Sequence, residues 1–116
     1  ERRYLMERLQ PVLNYIAENY ALPLDAESLS ELLFVHPSTL RTWFHRALDT
    51  TPMQYVHRTR VSLACALLQS TSVPVAEVAQ TVGYQSVSSF NRQFSSICGC
   101  CPQAYRRRAQ EAFSAT

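Results

Sequence analysis

HPSTLRTWFHRALDTTPMQY (residues 36–55) and SVSSFNRQFSSICGCCPQAY (residues 86–105) are two copies of one pattern. At an offset of 50, Leu40 falls on Phe90, Phe44 on Phe94, Pro52 on Pro102, Tyr55 on Tyr105 and Arg58 on Arg108. Upstream the offset is 49, with Leu29 on Val78 and Ser30 on Ala79. One residue is therefore inserted in the second copy, near Gly83-Tyr84. Agreement in residue type at five positions in one register marks an internal repeat. Each copy reads as a short helix, a tight turn, a second helix and a third helix led by proline.

Outward from this repeat, the apolar spacing is helical throughout. Residues 2–19 carry Leu5, Leu9, Val12, Leu13 and Ile16 on one stripe, and Pro11 is expected to kink that helix or delay its start. Asp25 is the expected cap of a short helix holding Leu29, Leu32 and Leu33. Pro37 fits the first turn of the next helix, with Leu40, Trp43, Phe44 and Ala47 or Leu48 inward. A longer helix starts at Thr51-Pro52 and runs to about Gln69, carrying Tyr55, Val56, Leu63, Ala64, Leu67 and Leu68. After the break at Ser72-Val73-Pro74 come a short helix with Val75, Val78 and Ala79, a turn at Gly83, and a helix over 87–97. That helix turns Phe90, Phe94 and Ile97 inward, Gly99 ends it, and Pro102 opens the last helix. No segment alternates with period two, so the fold class is all-α. The expected division is an N-terminal helix (1–24), a first helix-turn-helix (25–52), a linker helix (53–70), and a second helix-turn-helix with the C-terminal helix (71–116).

Composition narrows the function. At 116 residues and 47% hydrophobic, the chain is one domain's length and foldable. It has no apolar run long enough to span a membrane and no signal-peptide pattern, so a cytoplasmic location without membrane contact is expected. It opens on Glu1 rather than Met, which points to a piece of a longer protein. The two glycines, Gly83 and Gly99, leave no Gly-rich phosphate loop. All eleven basic residues are arginine. Residues 1–35 hold three arginines against six carboxylates, whereas residues 36–116 hold eight against three. The basic later part suits a polyanionic partner.

A short helix, a turn of about four residues and a second helix is the helix-turn-helix pattern. The second helix of such a unit must pack one stripe inward and offer a polar face to a DNA groove. In the first copy Ser38, Thr39, Arg41, Thr42 and His45 remain outward; in the second, Ser88, Ser89, Asn91, Arg92 and Ser95 do. Neither face contains Asp or Glu, which would repel phosphates. A linker helix of this length spans roughly 27 Å. Such a rod suits two recognition helices near the ~34 Å repeat of one duplex face.

With the strings STLRTWF (38–44), TPMQY (51–55), RVSLACALL (60–68), VAQTVGY (78–84), SFNRQF (89–94) and GCCPQAYR (99–106), the chain resembles the AraC/XylS family of bacterial transcription regulators over about residues 25–108. The resemblance implies seven helices and two helix-turn-helix subdomains on a long linker helix. It implies base contacts at Ser38, Arg41 and Thr42, and at Val87, Ser88, Asn91 and Arg92. It also implies double-stranded promoter DNA and RNA polymerase as partners, and a separate effector-sensing or dimerisation domain, commonly upstream. Three positions depart from the family. Phe34 stands where glycine is common in the first turn, His36 replaces a hydroxyl cap, and Cys101 replaces another before Pro102.

Each candidate has a plainer reading beside it. Arg41 and Arg92 suit two-bonded readout of guanine, against a solvated surface charge. Asn91 suits adenine or a phosphate. Ser38, Thr42, Ser88 and Ser89 suit bases or phosphates, and Val87 a thymine methyl or surface packing. Arg46, Arg58, Arg106 and Arg107 are phosphate clamps or solvated charges, and His45 is a polar surface residue. Trp43, Phe44, Phe90 and Phe94 belong to the core. Cys98 falls where the family has a buried aromatic, so it too is expected in the core. Cys98-Gly99-Cys100-Cys101 lacks the second pair a zinc site needs, so no metal or cofactor is expected. No catalytic constellation stands out, so an enzyme is not expected. The competing classes are a helical protein-interaction module without DNA binding and a small thiol enzyme or metal sensor.

Overall fold

The computed structural model describes residues 1–114, so the last two residues of the expected 71–116 segment lie outside it. Among the described residues there are seven helices and no strand: α1 (Arg2–Asn19), α2 (Ala26–Glu31), α3 (Pro37–Leu48), α4 (Pro52–Ser70), α5 (Val75–Thr81), α6 (Val87–Cys98) and α7 (Pro102–Ser114). They form two compact units, Glu1–Thr59 and Arg60–Thr116, with α4 passing from one into the other.

In the first unit α1 buries all five residues of its expected stripe. The helix starts at Arg2 and runs through Pro11, so the expected delayed start does not occur. A proline inside a helix costs about 3 kcal/mol. Each fully buried Leu, Ile or Val returns about 1.5–3 kcal/mol. The three fully buried ones, Leu9, Val12 and Ile16, already outweigh that cost. Asp25 caps α2 by accepting from the Ser28 amide at 2.8 Å. That bond, with the Ser28 hydroxyl, holds the Asp25 carboxyl below the ordinary aspartate value. Helix α2 ends at Glu31, so Leu32 and Leu33, expected within it, lie beyond its end; Leu32 is exposed and Leu33 half-buried, while Leu29 is fully buried. Packed against α1 and α2, α3 buries Leu40, Phe44 and Ala47. Phe44 meets Tyr55 edge-on, with ring centroids 5.8 Å apart. Trp43 is only half-buried, and the Arg8 guanidinium lies 4.9 Å from its ring centroid.

The second unit repeats the arrangement around Val61, Ala64, Leu68, Val78, Ala79, Val82, Tyr84, Phe90 and Phe94. Tyr84, Phe90, Phe94 and Tyr105 form a run of ring contacts 5.5–5.6 Å between centroids. Arg60 is buried with its guanidinium 5.3 Å from the Tyr84 ring centroid. Burial lowers the Arg60 guanidinium's affinity for its proton and raises the Tyr84 phenol. Ile97 is half-buried rather than fully inward, and Leu63 is exposed.

Candidate nucleic-acid interface

Both turns are closed by the same backbone bonds. In the first, Val35 N–H donates to Ser30 O at 3.2 Å; in the second, Tyr84 N–H donates to Ala79 O at 2.9 Å. The residue at the bend has positive φ in each: Phe34 at 56° and Gly83 at 111°. His36 and Ser86 then cap the following helices, so the inserted residue of the second copy is Gln85.

His36 Nδ1 accepts from the Ser38 amide at 3.2 Å and lies 2.8 Å from the Ser38 hydroxyl. Only a ring nitrogen without a proton accepts such a bond, so the capping ring carries its proton on Nε2. Ser86 Oγ accepts from the Ser89 amide at 3.1 Å. Ser86 leaves the Val87 and Ser88 amides open at the start of α6, where an anion is stabilised. The start of α3 has none to offer: Pro37 carries no N–H, and the Ser38, Thr39 and Leu40 amides all donate to His36.

Ser38, Arg41, Thr42 and His45 are exposed on the outer face of α3, as expected. Thr39 is half-buried. Thr42 donates its hydroxyl proton to Ser38 O at 3.0 Å, so its oxygen is left as an acceptor. Arg46 is exposed and paired at 3.3 Å with Glu1, itself exposed. A surface pair of this kind contributes about 0–1 kcal/mol. On α6, Ser88, Asn91, Arg92 and Ser95 are exposed, Ser89 is half-buried, and Val87 is 38% exposed at the first turn. Neither outer face carries a carboxylate.

One expected clamp differs. Arg106 donates from Nε to Leu68 O at 3.2 Å and from Nη2 to Val73 O at 2.6 Å. It satisfies carbonyls at the end of α4 and just beyond, and so belongs to the scaffold. Arg58 and Arg107 are exposed. Near the first unit's site, Arg2 donates from Nε to Ala47 O at 2.9 Å in the last turn of α3. None of these three bonds is visible in spacing, because the partners lie more than 30 residues apart. No group of three or more His, Cys, Asp or Glu placed to hold a metal is found among the described residues. Nor does any described helix have the length and apolarity to cross a membrane.

A family of helix-turn-helix domains matches residues 29–108. The probable transcriptional regulator LumQ of Photobacterium leiognathi is 35% identical over 103 residues, covering 87% of this chain and 42% of its own length. The DNA-binding domain of AdpA, a global transcriptional factor solved in complex with a target DNA, superposes with a TM-score of 0.83. It shares 26% identity and covers 90% of this chain and 94% of that one. A probable AraC family transcriptional regulator from Rhodopseudomonas palustris superposes with a TM-score of 0.76 at 26% identity, covering 89% and 97%. The chain spans less than half the length of the curated relatives it matches.

Proposed function

This chain belongs to the AraC family of helix-turn-helix transcription regulators, and on that premise we propose that it binds promoter DNA sequence-specifically through α3 and α6. The observation that carries the reading is the pair of capped, carboxylate-free outer faces on these helices. In the complex, Ser38, Thr39, Arg41, Thr42, His45 and Arg46 meet DNA from α3, and Val87, Ser88, Asn91 and Arg92 from α6. Arg41 and Arg92 take guanine O6 and N7, and Asn91 takes adenine or a phosphate. Thr42, whose proton is committed to Ser38 O, accepts from a base amino group or touches a thymine methyl. Open amides of Val87 and Ser88 at the start of α6 hold a phosphate, and Arg46 exchanges its exposed Glu1 partner for another. Affinity accordingly falls as salt rises.

RNA polymerase and a separate effector-sensing or dimerisation domain are the further partners of this reading. More than half of LumQ lies outside the matched region. The location that follows from a promoter ligand is the cytoplasm, at the nucleoid. No catalytic step is assigned to the chain.

Selection of bound sequences from a random duplex pool tests the proposal. Two half-motifs about ten base pairs apart are expected, one per recognition helix. A single motif assigns base reading to one unit alone. Equal weak binding to selected and random duplexes overturns the proposal and leaves a helical protein-interaction module.

A further inference from the structure

We propose that Cys65 and Cys98 form an oxidisable dithiol, which a peroxide converts to a disulfide joining α4 to the C-terminal end of α6. The proposal does not depend on the DNA-binding reading. Both thiols belong to the second unit and both are half-buried. Their sulfurs lie 3.8 Å apart, in van der Waals contact. A disulfide needs about 2.05 Å, a change within reach of side-chain rotation and a small shift of the last turn of α6. Cys98 is the last residue of that helix and is followed by the left-handed Gly99, a natural place for such a shift.

Two comparisons single out this pair. In the first copy of the repeat, the position of Cys98 is filled by Leu48, so packing alone is satisfied without sulfur. Of the other two thiols, Cys101 is already engaged, accepting from the Ala104 amide at 3.4 Å at the start of α7. Cys100 lies close enough to add to the electrostatic load on Cys98. No third donor completes a metal-binding group among the described residues, which favours two-thiol chemistry over a metal site.

The reaction balances with hydrogen peroxide as the two-electron oxidant. Cys65 gives up its proton and its sulfur attacks a peroxide oxygen; the O–O bond breaks, Cys65 becomes a sulfenic acid, and the departing hydroxide takes the released proton and leaves as water. Cys98 then gives up its proton, and its sulfur attacks the Cys65 sulfur. The S–O bond breaks, a second water leaves, and the S–S bond forms. Burial and the neighbouring Cys65 push the Cys98 thiol up to about 11. It is therefore a thiol near neutrality, which suits the resolving role and makes closure slow. The rate rises with pH as the thiolate fraction grows.

Trypsin cuts after Arg60, Arg92 and Arg106 and so places Cys65 in peptide 61–92 and the other three cysteines in peptide 93–106. The folded chain is treated with hydrogen peroxide, its remaining thiols are alkylated, and the digest is read by mass spectrometry. The expected product is 61–92 joined to 93–106, two hydrogens lighter than the sum. Fragment ions should place the bond on Cys98, and yield should increase with pH. The double variant Cys100→Ser/Cys101→Ser should form the same link. An alkylated, unlinked 61–92 from the oxidised chain overturns the proposal, as does a bond through Cys100 or Cys101.

Discussion

The two helix-turn-helix units build the same turns on different residues. At the bend, the first has Phe34 and the second Gly83, both with positive φ. At the cap of the outer-face helix, His36 stands opposite Ser86. At its end, Asp49 at φ 54° stands opposite Gly99 at φ 79°. In all three places the second unit uses the residue that local chemistry prefers, and the first does not. The order reverses one step on: Thr51 caps α4 with its hydroxyl at 3.1 Å, whereas Cys101 caps α7 through sulfur. Local preference therefore does not set this geometry. What the units share is the buried aromatic and its Tyr neighbour: Phe44 against Tyr55, and Phe94 against Tyr105, at interplanar angles of 70° and 78°.

The largest expected effect tests that shared element. Phe44→Ala and Phe94→Ala should each destabilise the chain by about 3–5 kcal/mol. The costs should be similar, because both rings are fully buried. Urea unfolding followed by circular dichroism measures both. A clear gap between them breaks the equivalence of the two cores.

Next in size is the difference between the outer faces. Arg92→Ala should weaken binding to the selected duplex by about 1–3 kcal/mol and relax choice at one base pair. Arg41→Ala should do the same within the other half-motif. Fluorescence anisotropy against a panel of single-base variants separates the two. If Arg92→Ala weakens binding to every duplex equally, Arg92 grips a phosphate.

The comparison also explains what could be read from sequence. Helix ends were legible because caps are local: Asp25, Pro37, Pro52, Gly99 and Pro102 each mark a boundary within a few residues. The core was legible because Leu40, Phe44, Phe90 and Phe94 recur in register. Leu32 was not, since its spacing fits a helix that stops one residue earlier. Leu63 fits the stripe of α4 as well as Ala64 does, yet only Ala64 is buried; spacing alone does not say which side is covered. Arg106 and the Cys65–Cys98 contact escaped for a different reason. Both pair residues over 30 apart on separate helices, and no periodicity encodes that. For the interface, sequence set out two outer faces, and the structure leaves their proposed readers exposed, apart from half-buried Thr39.

The caps carry a smaller prediction. Ser86→Ala should cost about 1 kcal/mol, and His36→Ala about half of that, since histidine is not among the favoured caps. Thermal unfolding of the two variants compares them. Equal losses would show that an imidazole nitrogen caps as well as a hydroxyl, and would remove one of the asymmetries between the units.

An effect as small as those of the caps concerns Phe34, and it has the opposite sign. A non-glycine residue in the left-handed region costs roughly 1–2 kcal/mol. Phe34 is 96% exposed, so its ring buries almost nothing that replacement would lose. Phe34→Gly relieves the backbone strain but adds freedom to the unfolded chain, worth about 0.5–1 kcal/mol against folding. The balance predicts a stabilisation of about 0.5–1 kcal/mol, seen as a higher urea midpoint at unchanged slope. Gly99→Ala is the mirror test: a Cβ there meets nothing within 4 Å, so the loss it causes measures left-handed strain alone. If Phe34→Gly lowers the midpoint while Gly99→Ala behaves as expected, the exposed ring stabilises the first turn, and the two bends are not equivalent.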